Sequence, residues 1–180
     1  MNKLEKYALH SALKPQDAQL NECFFPVKED KYITYNINTN STSKFYFHWQ
    51  EVVNLIQPYL QKEGVSILKI GNPNTPQVLG TINYSGKSFN QNNYILKKSL
   101  LHFNAFDYFS YICDQMSKPN VSLFSSFPSA SYNFKDYSNK IFIDSPKGDK
   151  NPSLIENETP KTIDLISPTQ VAYGILKLLN

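Results

Sequence analysis

The strongest constraint on what this 180-residue chain can fold into is an alternation of two periodicities. Short β-branched and aromatic runs take turns with longer amphipathic ones. KYITYNI (31–37), VSILKI (65–70), LLHFN (100–104) and VSLFSS (121–126) read as strands, with VLGTINY (78–84) and KIFID (140–144) as shorter candidates. Residues 47–62 place Trp49, Val52, Val53, Ile56, Tyr59 and Leu60 on one helical face, with Pro58 near the end or at a kink. Segments 88–99, 106–117 and 167–179 repeat the helical period. In 106–117 the face to bury is Phe106, Phe109, Ile112 and Cys113. Asn or Ser caps 88–99, and Ser167 as N-cap with Pro168 at the first position starts the last helix. TIDLI (162–166) reads as extended, and 145–160 as irregular.

Repeated strand–helix units imply an α/β fold: a single Rossmann-like three-layer domain with a mainly parallel sheet and helices on both faces. An N-terminal helix (2–13) and linker take up residues 1–26, and the domain itself residues 27–180. Ligands of such sheets bind outside the carboxyl ends of the strands. That singles out the loops 38–44, 71–76, 104–107 and 125–134.

Composition removes several function classes. A hydrophobic fraction of 41% excludes a disordered chain, and a net charge of +3 is too small for a dedicated nucleic-acid binder. All 18 basic residues are lysine, so no guanidinium can clamp a phosphate; lysine, hydroxyls or backbone N–H groups must do it. Cys23 and Cys113 have no metal-ligand spacing and read as reduced thiols. The N-terminus has no apolar signal region, and no run approaches a membrane span. The expectation is a cytoplasmic protein with no membrane span and no nucleic-acid partner.

Few motifs carry chemistry. Ser85-Gly86-Lys87-Ser88 ends like a phosphate loop, but Thr81 stands where its first glycine belongs. Ser41-Thr42-Ser43-Lys44 lies between a strong strand and a strong helix, and is either a solvated loop or a diphosphate cradle. Asp107 opens a helix, and either caps it or binds a sugar or ribose hydroxyl. His10, His48 and His102 share no metal spacing and read as structural. No catalytic residue and no metal site can be assigned.

Four stretches carry a family resemblance: KYITYNINTNSTSKFYFHWQEVVNLI, VSILKIGNPNT, NQNNYILKKSLLHFNAFDYFSYICDQMSKPNVSLFSS and PKTIDLISPTQVAYGILKLL. Together they resemble the C-terminal, nucleotide-sugar-binding half of a family 9 glycosyltransferase, the heptosyltransferase-like group of the GT-B fold. Residues 3–26 resemble the linker between its halves. The resemblance implies that Lys44 meets the donor diphosphate, that Thr42 and Ser43 form the hydroxyl loop before it, and that Gly71 turns beside the nucleotide. The family's donor motif, an Asp-Ser/Thr-Gly followed by a histidine, falls here on Phe106, Asp107, Tyr108 and Tyr111. A shift by one residue puts the acid on Asp107, with Tyr108 and Tyr111 crowding the place of phosphate approach; Asp107 and Tyr108 complete the implied donor-binding set.

The function so implied is transfer of a hexosyl or heptosyl group from a nucleotide-diphospho-sugar. An acceptor hydroxyl attacks the anomeric carbon, and Lys44 with helix N-termini stabilises the departing diphosphate. No metal or other cofactor is called for. Such an enzyme needs two halves, so a separate N-terminal half is the implied partner, and whether this chain is an enzyme stays open. The alternative is a non-catalytic GT-B-derived binding or assembly module with a degenerate donor site. An unrelated nucleotide-binding α/β domain, such as a flavodoxin-like carrier, is a third reading; the lack of a glycine-rich loop after KYITYNI weighs against a dinucleotide site.

Overall fold

The computed structural model describes residues 20–38, 41–125, 128–131, 134, 138–146 and 161–180, with backbone alone at Thr42 and Ser131. Six strands form one parallel sheet: β1 (Tyr32–Asn36), β2 (Ser66–Lys69), β3 (Ile82–Asn83), β4 (His102–Ala105), β5 (Asn120–Phe124) and β6 (Lys140–Asp144). The order across the sheet is β3-β2-β1-β4-β5-β6. It reverses between β1 and β4, which is the switch point where such sheets open a crevice. Three helices connect strands, α1 (Trp49–Lys62), α2 (Phe89–Lys98) and α3 (Tyr108–Gln115), and a fourth, α4 (Pro168–Leu179), follows β6.

Helices cover both faces, as the alternation predicts. On one face Ile33, Tyr35, Phe103, Val121 and Ile143 pack under α1 and α4 through Trp49, Val53, Ile56, Val171 and Ile175. Phe103 stacks on Tyr35 at 5.4 Å and meets Trp49 at 5.5 Å, so aromatic contacts occupy the sheet centre. Gly174 lets α4 lie close to the strands: a Cβ there would come within 3.3 Å of Ile141 Cγ2. The other face packs Tyr32, Leu68 and Ile70 under α2 and α3 through Ile95, Leu96, Phe109 and Ile112. Linker residues Leu20, Phe25 and Val27 join this second cluster. The Cys23 N–H donates to the Asn90 carbonyl at 3.1 Å, and Lys97 pairs with Glu22 at 2.6 Å.

Helix starts follow the sequence. Ser88 accepts from the Gln91 N–H while the Gln91 side chain accepts from the Ser88 N–H, a complete capping box. Ser88→Ala is expected to cost about 1 kcal/mol in urea unfolding. Pro58 lies inside α1, on its exposed side, and the helix continues to Lys62.

Two segments differ from their expected form. Strand 78–84 shrinks to Ile82–Asn83, because residues 78–81 turn around the Tyr35 hydroxyl. That oxygen accepts from the Val78 N–H at 3.2 Å and lies 2.9 Å from Thr81 Oγ1. The TIDLI segment is a 3-10 turn at Ile163–Leu165 rather than extended. It folds over the start of α1, where Tyr46 donates to the Ile166 carbonyl at 2.7 Å and the Phe47 N–H to Asp164 at 2.9 Å. The expected helix at 2–13, most of the 1–26 linker, Ser126, Phe127 and residues 147–160 lie outside the described residues.

Candidate functional site

The carboxyl ends of β1 and β4 meet at the switch point, and a cleft of about 110 Å³ opens there. Asn36, Asn38, Asn72, Thr75, Asp107 and Tyr108 line it, with Ile37 and Phe109 beside them. Asn36 ends β1, Asn72 and Thr75 follow β2, and Asp107 and Tyr108 start α3.

Asp107 is the chemical centre of this group. It is buried and caps α3: Oδ1 accepts from the Phe109 N–H at 2.8 Å and from Asn104 Nδ2 at 2.8 Å. Its Oδ2 accepts from Asn36 Nδ2 at 2.6 Å. Burial pushes this carboxyl up to about 6, against the downward pull of the Asn36 bond, the Phe109 N–H, the Lys44 charge and Asn104. The capping role read from the sequence is met, and the same carboxylate lines the cleft.

The other expected residues are distributed unevenly. Tyr108 is half-exposed in the cleft mouth, with its ring 6.1 Å from Phe89; burial, then the Asp107 charge, raises its hydroxyl to about 12. Gly71 has a left-handed φ of +88°, and a Cβ there would meet Phe109 Cε2 at 3.2 Å. Its glycine identity thus lets the β2 turn close on the first turn of α3. Lys44 ends a 3-10 turn at Thr42–Lys44, closed by its N–H on the Ser41 carbonyl at 3.1 Å. Its side chain is not among those lining the cleft, although its charge reaches Asp107. Ser43 is buried, with Oγ 2.7 Å from Ser41 Oγ, so its hydroxyl is turned into the fold. Thr42 is placed by its backbone in the same turn.

Behind the cleft wall lies a buried polar layer that the sequence reading missed. Thr34 and Asn36 on β1, His102 and Asn104 on β4, and Asn120 and Ser122 on β5 share one face and are register partners across the sheet. Ser110 of α3 closes the layer, bonding Asn104 Oδ1 at 3.0 Å and lying 2.8 Å from Ser122 Oγ. Asp114 of α3 pairs with Lys140 of β6 at 3.0 Å. The signal was a period-two polar pattern inside strands that run through the core, where buried polar groups need partners. His102 is fully buried and held far down, to about 3, chiefly by that burial. It is a neutral wall residue, with no access to the cleft as a base. Both cysteines are free, Cys23 exposed and Cys113 buried.

What the cleft can do follows from its groups. Three asparagines, a threonine, a carboxylate and an aromatic ring suit hydrogen bonding to a hydroxyl-rich ligand. Asp107 is the charged group in its lining, and the Lys44 charge acts on it from the 3-10 turn. Among the described residues no group of three His, Cys, Asp or Glu side chains is placed to hold a metal ion, and no helix is long and apolar enough to cross a membrane.

No protein-family model matches this sequence, and no curated protein matches it. Solved structures do match its fold. Escherichia coli ADP-heptose LPS heptosyltransferase II aligns at 14% identity over 97% of this chain and 50% of its own, with a TM-score of 0.62. The iron-containing dodecameric glycosyltransferase TibC of enterotoxigenic E. coli aligns at 14% identity over 93% of this chain and 50% of its own, with a TM-score of 0.71. A family 9 glycosyltransferase of Veillonella parvula gives 15%, 98%, 50% and 0.61 for the same quantities. The chain thus spans about half the length of the structures it matches, and it has the Rossmann-like fold that the resemblance implied.

Proposed function

We propose that this chain is a nucleotide-diphospho-sugar-binding domain of glycosyltransferase type, which takes its ligand in the cleft between β1, β2 and the start of α3. The observation that carries this reading is the position of that cleft at the β1/β4 switch point, with Asp107 in its lining and the Lys44 charge acting on that carboxylate from the neighbouring turn. Matching structures include TibC in complex with ADP-D-β-D-heptose and E. coli WaaC with ADP-2-deoxy-2-fluoro heptose, which supports a nucleotide-sugar as the ligand class.

In this reading Lys44 faces the diphosphate, Asp107 and the cleft asparagines take sugar or ribose hydroxyls, and Tyr108 covers one side of the ligand. Thr42 and Ser43 act through the backbone of their turn. No cofactor takes part. Transfer to an acceptor hydroxyl requires a general base, which a separate N-terminal half would bring together with the acceptor site.

One observation favours the second reading, a non-catalytic module of the same descent. The Asp107 carboxylate already occupies the N–H of Phe109 at the start of α3, where a phosphate would otherwise bind. Phe109 fills the space against Gly71.

Calorimetry with ADP-, UDP- and GDP-sugars separates the two. A donor domain binds one of them, and Lys44→Ala weakens that binding about tenfold, or about 1.4 kcal/mol. Absence of binding at millimolar concentration, with Lys44→Ala without effect, would establish the module instead.

A further inference from the structure

We propose that Asn36 and His102 form a proton-linked relay behind the cleft, in which the charge of Asp107 decides which imidazole nitrogen of His102 carries the hydrogen. The relay is a property of the wall itself and holds whatever ligand the cleft takes.

The bonds allow few arrangements. An ionised Asp107 only accepts, so Asn36 must turn its Nδ2 toward Oδ2, at 2.6 Å. The amide oxygen of Asn36 then faces His102 Nε2 at 3.1 Å, and that nitrogen must donate. His102 Nδ1 is left as acceptor and takes the Thr34 hydroxyl hydrogen at 3.0 Å. Ionised Asp107 thus fixes His102 as its Nε2–H tautomer.

Now let Asp107 take one proton from solvent. Its Oδ1 is held by two donors, the Phe109 N–H and Asn104 Nδ2, so the hydrogen goes to Oδ2. That oxygen becomes a donor facing Asn36. The amide answers by turning over, with its oxygen toward Asp107 and its nitrogen toward His102. Nε2 must then accept, so the imidazole loses a hydrogen there, gains one at Nδ1 and stays neutral. Nδ1–H donates to Thr34 Oγ1, whose own hydrogen turns to the Leu101 carbonyl or Ser99 Oγ, each 3.4 Å away. The net change is one proton on Asp107. Asn36 and His102 are positioning residues in this scheme.

The charged and titratable surroundings are few. Lys44 acts on Asp107 from the 3-10 turn, and Tyr108 adjoins it. On α3, the Cys113 thiol is pushed far up by burial, and Asp114 is paired with Lys140 of β6 at 3.0 Å. The His102 ring lies 5.5 Å from the Phe109 ring, tilted by 46° to it.

The test is nitrogen NMR of the histidine side chains, with the His102 signals identified by their loss in His102→Gln. Between about pH 7.5 and about pH 5 the wild type is expected to change from Nε2–H to Nδ1–H without forming imidazolium. Asp107→Asn places an amide donor opposite Asn36 and is expected to hold Nδ1–H at both ends of that range. An unchanged wild-type tautomer while the Asp107 carboxyl titrates would overturn the relay, since the proton would then face the cleft. If Asp107→Asn does not fold, the wild-type series alone decides.

Discussion

Phe109→Ala is expected to remove about 3 kcal/mol of stability, at the lower end of the usual range of about 3–5 for a buried phenylalanine. The ring is 1% exposed and belongs to the cluster that joins α2 and α3 to β2. It touches the place where a Gly71 side chain would stand, and it lies 5.5 Å from the His102 ring and 4.2 Å from Tyr108. The lower end applies because Phe109 also borders the cleft, so water can fill part of the space it leaves. Its backbone N–H still receives the Asp107 cap, which keeps α3 in place. Urea unfolding measures the loss; a change below about 1 kcal/mol would mean that the ring is not packed as described. The same variant widens the cleft at the start of α3, beside Gly71. If Phe109 is what closes a former phosphate site, the alanine variant binds nucleotide-sugars more tightly than the wild type despite its lower stability.

The sheet was legible because its strands are separated by helices with a clear apolar stripe. Trp49, Val53 and Ile56 fix α1, Phe109 and Ile112 fix α3, and the order of elements then fixes the parallel pairing. Residues 78–84 misled because their β-branched residues serve a turn held by the hydroxyl of Tyr35, a partner 43 positions earlier. TIDLI misled for the same kind of reason: its hydrogen bonds go to Tyr46 and Phe47, far away in sequence. At the site, Asp107 stood out because a carboxylate before a helix has a local meaning. Asn36, Asn72 and Thr75 did not, since an asparagine or threonine after a strand looks the same whether it lines a cleft or ends a turn. The His102 layer was visible only as polar letters in core strands; its meaning depends on register, which pairs Thr34 with His102 and His102 with Asn120.

Asp107→Asn is expected to make the protein acid-labile by about 3 kcal/mol between neutral pH and pH 4, whereas the wild type is nearly level between pH 6 and pH 4. The reason is a cancellation of two opposite shifts. Burial holds His102 down at about 3 in the fold, from an ordinary 6.5, so below pH 6.5 the unfolded chain takes up a proton that the folded one refuses. Stability from this group is present above the ordinary histidine value and is lost as pH falls. Burial also raises Asp107 to about 6 from an ordinary 3.8, so below pH 6 the folded chain takes up a proton that the unfolded one does not. Stability from that group grows as pH falls, and levels off below the ordinary aspartate value. Between about pH 6 and pH 4 each state therefore holds one proton, the unfolded chain on His102 and the folded chain on Asp107, and the slope vanishes. Asp107→Asn removes one side of the balance and exposes the histidine slope, about 1.4 kcal/mol per pH unit. His102→Gln removes the other, and its stability should rise by about 2 kcal/mol from pH 6 to pH 4 on the same scale. Urea titrations of the three proteins at stepped pH, each referred to its own value at pH 7, isolate these two groups from the other carboxylates. Parallel curves for wild type and Asp107→Asn would show that the cleft carboxyl does not hold the proton in the fold, and would remove the basis for reading Asp107 and His102 as one unit.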